Sequence, residues 1–170
     1  MSADDTLAIL LGRRIHTVQA VVVRDPSGRR IALDESVVLV MEDGPHVQII
    51  VEQAVTIIQM IEQLSDARLP RGYEAELGIE TQPMELPFWP TAGLVVNRLT
   101  EYWADDSARE FLMGFVAADR ANHELPVLTG GTEVEIVEPE AFAVVIEQSL
   151  LPIRAVTHEH NRPRRSTDSP

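Results

Sequence analysis

The sequence predicts a β-rich α+β fold: two pseudo-repeated antiparallel β-meander units packed into one globular body, with one or two short helices. Three observations predict it. Runs of β-branched residues, such as Val21–Val23 and Val37-Val38, alternate with turn signals at Asp25-Pro26-Ser27-Gly28 and Asp43-Gly44. A Gly-x-x-apolar-x-x-apolar pattern at Gly12, Ile15 and Val18 returns 81 residues on at Gly93, Val96 and Leu99. The stretch DGPHVQIIVEQ at 43–53 finds a counterpart in GGTEVEIVEPE at 130–140 when Gly44 is laid on Gly131, with a one-residue slip before the shared Val-Glu.

Taken in order, Asp4–Leu11 reads as a short helix, Asp at its start and Gly12 just past its end. Arg13–Arg24 is β-branched and reads as a strand, closed by the turn at 25–28, after which Arg29–Leu33 returns. A tight corner at Asp34–Ser36 leads to a further strand, Val37–Glu42, and then to the Asp43-Gly44 hairpin. His46–Glu52 completes the meander, with Val47, Ile49 and Val51 on one face and Gln48, Ile50 and Glu52 on the other. Gln53–Leu64 carries a helical stripe at 54, 57, 58, 61 and 64 against a β-branched Val-Thr-Ile-Ile; the reading leans to helix. The Pro- and Gly-broken stretch Ser65–Pro90 is an extended connector with one strand around Tyr73–Ile79. The second unit restarts at the boundary. It carries an inserted loop near Ala118–Pro126 and an apolar segment, Ala141–Leu151, entered through Pro139. The expected organisation is 1–84 for the first unit, 85–156 for the second, and a disordered polar tail over 157–170. Phe88 and Trp89, at the boundary, are expected to seal the seam.

Length and composition bound the function. A chain of 170 residues with 45% hydrophobic content builds one ordinary domain or two small halves, and its apolar runs are far short of a membrane span. The start MSADDTLAILLG is acidic where a secretory leader is cationic, so the expected location is cytoplasmic. Without cysteine there is no disulfide, thiol catalysis or thiolate metal site. All 14 cations are Arg, the usage of a GC-rich genome such as a bacterium's. The net charge of −13 repels phosphate backbones, so no nucleic-acid partner is expected, and the Arg pairs 13–14 and 29–30 read as strand-edge and turn charges.

Few constellations carry chemistry. His158-x-His160 around Glu159 has metal-ligand residue types, but in the expected tail it lacks fixed geometry, so no metal or cofactor is assigned. His123-Glu124, with Asp119 nearby, places an acid–His pair in the expected loop. Tyr102-Trp103 running into Asp105-Asp106 could line a pocket, while His16 and His46 fall in strands. There is no Gly-x-Ser-x-Gly elbow, and Gly130-Gly131 lacks a phosphate-cradle spacing, so no catalytic residue is nominated. The candidate contact residues are Phe88, Trp89, Tyr102, Trp103, Asp105, Asp106, His123 and Glu124. The expected role is non-catalytic: an acidic surface that engages a basic protein partner, as neutralising proteins do with cationic toxins. The alternatives are a small-molecule binder or enzyme with its pocket between the units, and a homodimer joined through a sheet edge.

Overall fold

The computed structural model describes residues 7–73 and 79–160. Six of the eleven residues of β1 (Arg14–Arg24) are β-branched, which favours an extended backbone from end to end. It pairs with β2 (Arg30–Met41), followed by β3 (His46–Glu52) and β4 (Val55–Ile61) in an antiparallel meander. On its other side β1 receives β5 (Glu80–Pro83) and, at its start, the two-residue β6 (Leu94–Val95). The second sheet repeats the plan. Strands β7 (Arg98–Asp105), β8 (Glu110–Ala118), β9 (Glu124–Leu128) and β10 (Glu135–Ile136) form a meander, and β11 (Ile153–Glu159) returns to flank β7. Helix α1 (Pro139–Glu147) lies between β10 and β11. No helix among the described residues is long and apolar enough to cross a membrane.

The junction carries the repeat's interval. Arg14 pairs directly with Val95, 81 positions on, the spacing that separates Gly12 from Gly93. A residue paired with its own counterpart marks a local two-fold axis. The same interval links Asp25 to Asp106, the acids that close the β1–β2 and β7–β8 turns. Asp25 Oδ1 accepts the backbone N–H of Ser27 and of Arg29; Asp106 Oδ1 accepts those of Ala108 and Arg109.

The two sheets face each other across one core, to which Ile15, Leu39 and Ile49 contribute from the first and Leu99, Phe115 and Val127 from the second, all fully buried. Burying each such side chain stabilises by about 2 kcal/mol. Register shifts adjust which residues reach this core. One near His16 lets Ile15 and Val18, three apart, both turn inward. Another opposite Tyr102/Trp103 does the same for Leu112 and Phe115 and leaves Met113 on the outside. A second, smaller cluster of Val21, Val38, Ile61 and Ala67 sits on the outer face of the first sheet, beneath the connector.

Several expectations are corrected. The N-terminal element is a short 3-10 helix at Leu7–Leu10, and residues 4–6 lie outside the described residues. The corner at Asp34–Ser36 is a bulge inside the continuous β2, because β1 stays paired on both sides of it. Gln53–Leu64 is not helical. Gln53 and Ala54 take φ of 50° and 60°, the two positive values of a type I′ turn, and Val55-Thr56-Ile57-Ile58 leads back as β4. The connector carries a strand at Glu80–Pro83; of the strand expected around Tyr73–Ile79, residues 74–78 lie outside the described residues. Ala118–Pro126 is no insertion but the β8–β9 hairpin, the counterpart of Glu42–Pro45. It follows that Gly44 does not correspond to Gly131: one joins strands two and three of its meander, the other strands three and four. Ala141–Leu151 contains most of α1 and the turn after it. The tail expected from 157 is overturned at its start, since Thr157, His158 and Glu159 are held in β11 by pairing with β7; residues 161–170 lie outside the described residues.

Candidate functional site

The eight candidate residues do not converge. Trp103 faces the inter-sheet core at 9% exposure, whereas its neighbour Tyr102 points to the outer face and meets Phe142 of α1 edge-on, ring centroids 5.2 Å apart. Period-2 alternation separates them. Asp105 and Asp106 are spent on the β7–β8 turn, Asp105 Oδ1 taking the Ser107 N–H at 2.8 Å. Hydrogen bonds from the backbone of Arg109 and Ala108 hold the Asp106 carboxyl below its usual range. Trp89 is half-buried against the core margin, its Nε1 donating to the His16 carbonyl at 3.3 Å; Phe88 is half-buried beside it in sequence. Tyr102 and Glu124 do share a cleft of about 410 Å³ beneath α1. Burial, and after it the Glu124 charge, pushes the Tyr102 phenol up, with Arg98 opposing.

His158 and His160 are ordered, not a loose pair. His158 Nε2 hydrogen-bonds Glu101 Oε2 at 2.9 Å, and Glu101 is 2% exposed on the inner face between Leu99 and Trp103. The His160 ring instead stacks over Gly12, where an added Cβ would meet it at 2.6 Å. No group of three or more His, Asp or Glu suited to a metal occurs among the described residues.

Two surface features gather chemistry. The first is a groove of about 510 Å³ beside β10 and α1, with Met113, Leu128 and Val145 as its apolar part and Glu133 and Glu135 at its lip. The bulge in β8 builds it: the Met113 carbonyl accepts both the Thr129 and the Gly130 N–H, at 2.9 and 3.0 Å, so the chain peels away from β8 there. A side chain at Gly130 would collide with Met113. Between His123 and Arg154 the sequence holds six acidic residues and no Arg or His. Of these, Glu133, Glu135, Glu138, Glu140 and Glu147 are exposed and form no ion pair among the described residues. Beside them α1 presents Val144 at 47% and Val145 at 38% exposure, and Leu150 follows fully exposed.

The second is a cleft of about 490 Å³ where the two units join, walled by Arg14 on one side and by Asn97, Arg120, His123 and His160 on the other. Backbone bonds fix its frame: Gly12 N–H to the Val96 carbonyl at 2.7 Å, Val96 N–H to Arg13 at 2.9 Å, and His160 N–H to Asn97 at 2.8 Å. Its single carboxylate, Asp119, closes the β8–β9 turn by accepting the N–H of Ala121 and of His123, and it holds the His123 ring through Nδ1 at 2.8 Å. Burial raises the Asp119 pKa, but the hydrogen bonds from the His123 side chain and backbone outweigh it and leave the carboxyl below its usual range.

Of the eight candidate contact residues, only His123 reaches this cleft, together with Asp119, the acid expected beside it, and only Glu124 belongs to the acidic stretch near the groove. Sequence reasoning did not bring Arg14, Arg120 and His160 together, because their meeting depends on β6 and β11 closing around β1 and β7. The acidic stretch was legible as a gap without cations from 124 to 153. No protein-family model, no curated protein and no solved structure matches this chain.

Proposed function

We propose that this protein is a non-catalytic binding protein, acting in the cytoplasm, whose groove beside β10 and α1 takes a basic segment of a partner protein. The observation that supports this reading is the coincidence of unpaired acids with exposed apolar surface. Glu133 and Glu135 edge a groove floored by Met113, Leu128 and Val145, and Val144 and Leu150 extend the apolar area. An arginine or lysine side chain suits such a site: its alkyl stem lies on the apolar floor while its charged head reaches the carboxylates. The opposite fields of the two proteins speed their encounter. Of the two Arg pairs, Arg14 and Arg30 are committed to Glu42 and Glu80, and Arg13 to backbone carbonyls.

A 15-residue amphipathic helical peptide of leucine and arginine, titrated into the isotopically labelled chain, tests this reading. The backbone amides of Leu128, Gly131, Glu135 and Val145 should shift. Affinity should fall steeply with salt, and Glu133→Gln combined with Glu135→Gln should weaken binding about tenfold. Equal binding by a leucine–glutamine peptide, or shifts confined to other surfaces, would count against the reading. Light scattering separates a peptide complex from pairing of two copies of the chain.

A further inference from the structure

The cleft between the units has the opposite character. On a chain with 27 acidic residues against 14 arginines, it brings Arg14, Arg120, His123 and His160 around one opening. We propose that this cleft binds a small organic anion, an apolar body bearing one carboxylate or phosphate group, with Arg120 as its principal partner.

The available donors make the case. Arg14 is anchored, its Nε to Glu42 at 3.0 Å and its Nη1 to the Ala92 carbonyl at 2.8 Å, so it is a fixed wall whose charge Glu42 largely offsets, and the anion's partner is left to Arg120. Arg120 uses only Nε, donated to Asn97 Oδ1 at 3.0 Å; its two terminal amino groups have no partner among the described residues. A guanidinium presented this way offers a planar fork that matches the oxygen pair of a carboxylate or phosphate. Asp119 is ionised beside it, but its oxygens are turned to the N–H groups of Ala121 and His123 and to the His123 ring, and it forms no ion pair with Arg120 among the described residues. The same bond fixes His123 Nδ1 toward Asp119 and leaves Nε2 as the ring's other polar atom. Pro90, Val95 and Ala121 supply apolar wall for the body of the ligand. The volume matches that of ordinary small-molecule sites. The frame is preformed, since the Gly12–Val96 and Val96–Arg13 bonds join the two units at this point.

Benzoate, phenyl phosphate and the neutral benzamide, titrated separately into the labelled full-length chain, test the proposal. Both anions should give saturable shifts at the amides of Asn97, Ala121 and His123, and benzamide should give none. Tighter binding of phenyl phosphate assigns the ligand's head group as phosphate, and tighter binding of benzoate assigns it as carboxylate. Arg120→Gln, an exposed change whose spectrum also reports the fold, should weaken the anions about tenfold. Arg154→Gln, whose partner is Glu110, should bind like the parent. The proposal is overturned if neither anion shifts these amides, if benzamide binds as well, or if Arg120→Gln leaves affinity unchanged. The glutamates of the acidic groove play no part here, so Glu133→Gln should leave these titrations unaltered, and the two sites stand or fall separately.

Discussion

The hairpin tips Glu42–Pro45 and Asp119–His123 occupy the same place in their two sheets, yet one is closed and the other borders a cleft. At the first tip, Arg13 reaches across to the carbonyls of Asp43 and Pro45, and Arg14 pairs with Glu42. The residue 81 positions after Arg13 is Leu94, which is buried in the core and sends nothing to the second tip. That turn is closed from within by Asp119, and Arg120 keeps its terminal nitrogens unspent. The outer faces differ in the same way. The first sheet's is sealed by its connector, whereas α1 covers the second incompletely, with a cleft beneath it and a groove at its side. A shared backbone plan therefore does not decide where a site forms; what decides it is which charges the local turns consume.

The largest expected effect tests the equivalence at the junction. Gly12 and Gly93 both hold positive φ, at 78° and 74°. A Cβ at Gly93 would strike the Ile15 carbonyl and crowd His16, which are backbone and cannot yield cheaply; at Gly12 it meets the His160 ring, which can swing away. Gly93→Ala should therefore destabilise by about 3 kcal/mol, from left-handed strain plus overpacking. Gly12→Ala should cost about 1 kcal/mol, from strain alone. Urea unfolding of the two variants measures this, and equal losses would mean that the junction is less tightly built on the Gly93 side than these contacts require.

A smaller effect is expected from the seal on the first sheet. Gln48 points to the outer face, as its period-2 position predicts, but it is fully buried and uses its amide completely. Its Nε2 donates to Ser36 Oγ at 2.9 Å and to the Arg68 carbonyl at 2.7 Å, and its Oε1 accepts from Gln59 Nε2 and the Arg68 N–H. Gln48→Ala leaves those partners unsatisfied and should cost about 2 kcal/mol. Hydrogen exchange should also quicken at Arg68, where the connector docks, while the amides beneath α1 stay as protected as in the parent.

Most of the fold was legible because strands announce themselves locally. β-branched runs marked β1 and β3, and the Gly12/Gly93 interval located the junction. The failures were equally physical. Gln53-Ala54 forms its turn without the Gly or Asn that would signal one, so a strand stripe passed for a helix. The match of Gly44 to Gly131 compared two Gly-led apolar stretches that sit one strand apart, whereas the less conspicuous Asp25/Asp106 pair was the true correspondence. Sites were harder to read than elements, since Arg14, Arg120 and His160 are brought together only by pairings between distant segments.

That Asp pair gives the finest test of the repeat. In each turn the carboxylate accepts backbone N–H groups, and both acids titrate below their ordinary value: Asp25 through the Ser27 side chain and then the Arg29 backbone, Asp106 through the Arg109 and Ala108 backbone. The folded chain thus binds the proton less readily than the unfolded one does. Each carboxylate therefore stabilises the fold at neutral pH, and that contribution fades as pH falls below about 4 and through the depressed folded value. Asp106 is exposed and Asp25 is half-buried at most, so the effect is small. Asp25→Asn and Asp106→Asn should each lower Tm by about 2 °C at pH 7, and the gap to the parent should narrow only below about pH 4. If the two turns descend from one arrangement, the two variants should trace the same curve. A shortfall at Asp25 alone would mean that the Ser27 hydroxyl, which has no counterpart at Ala108, carries that turn instead.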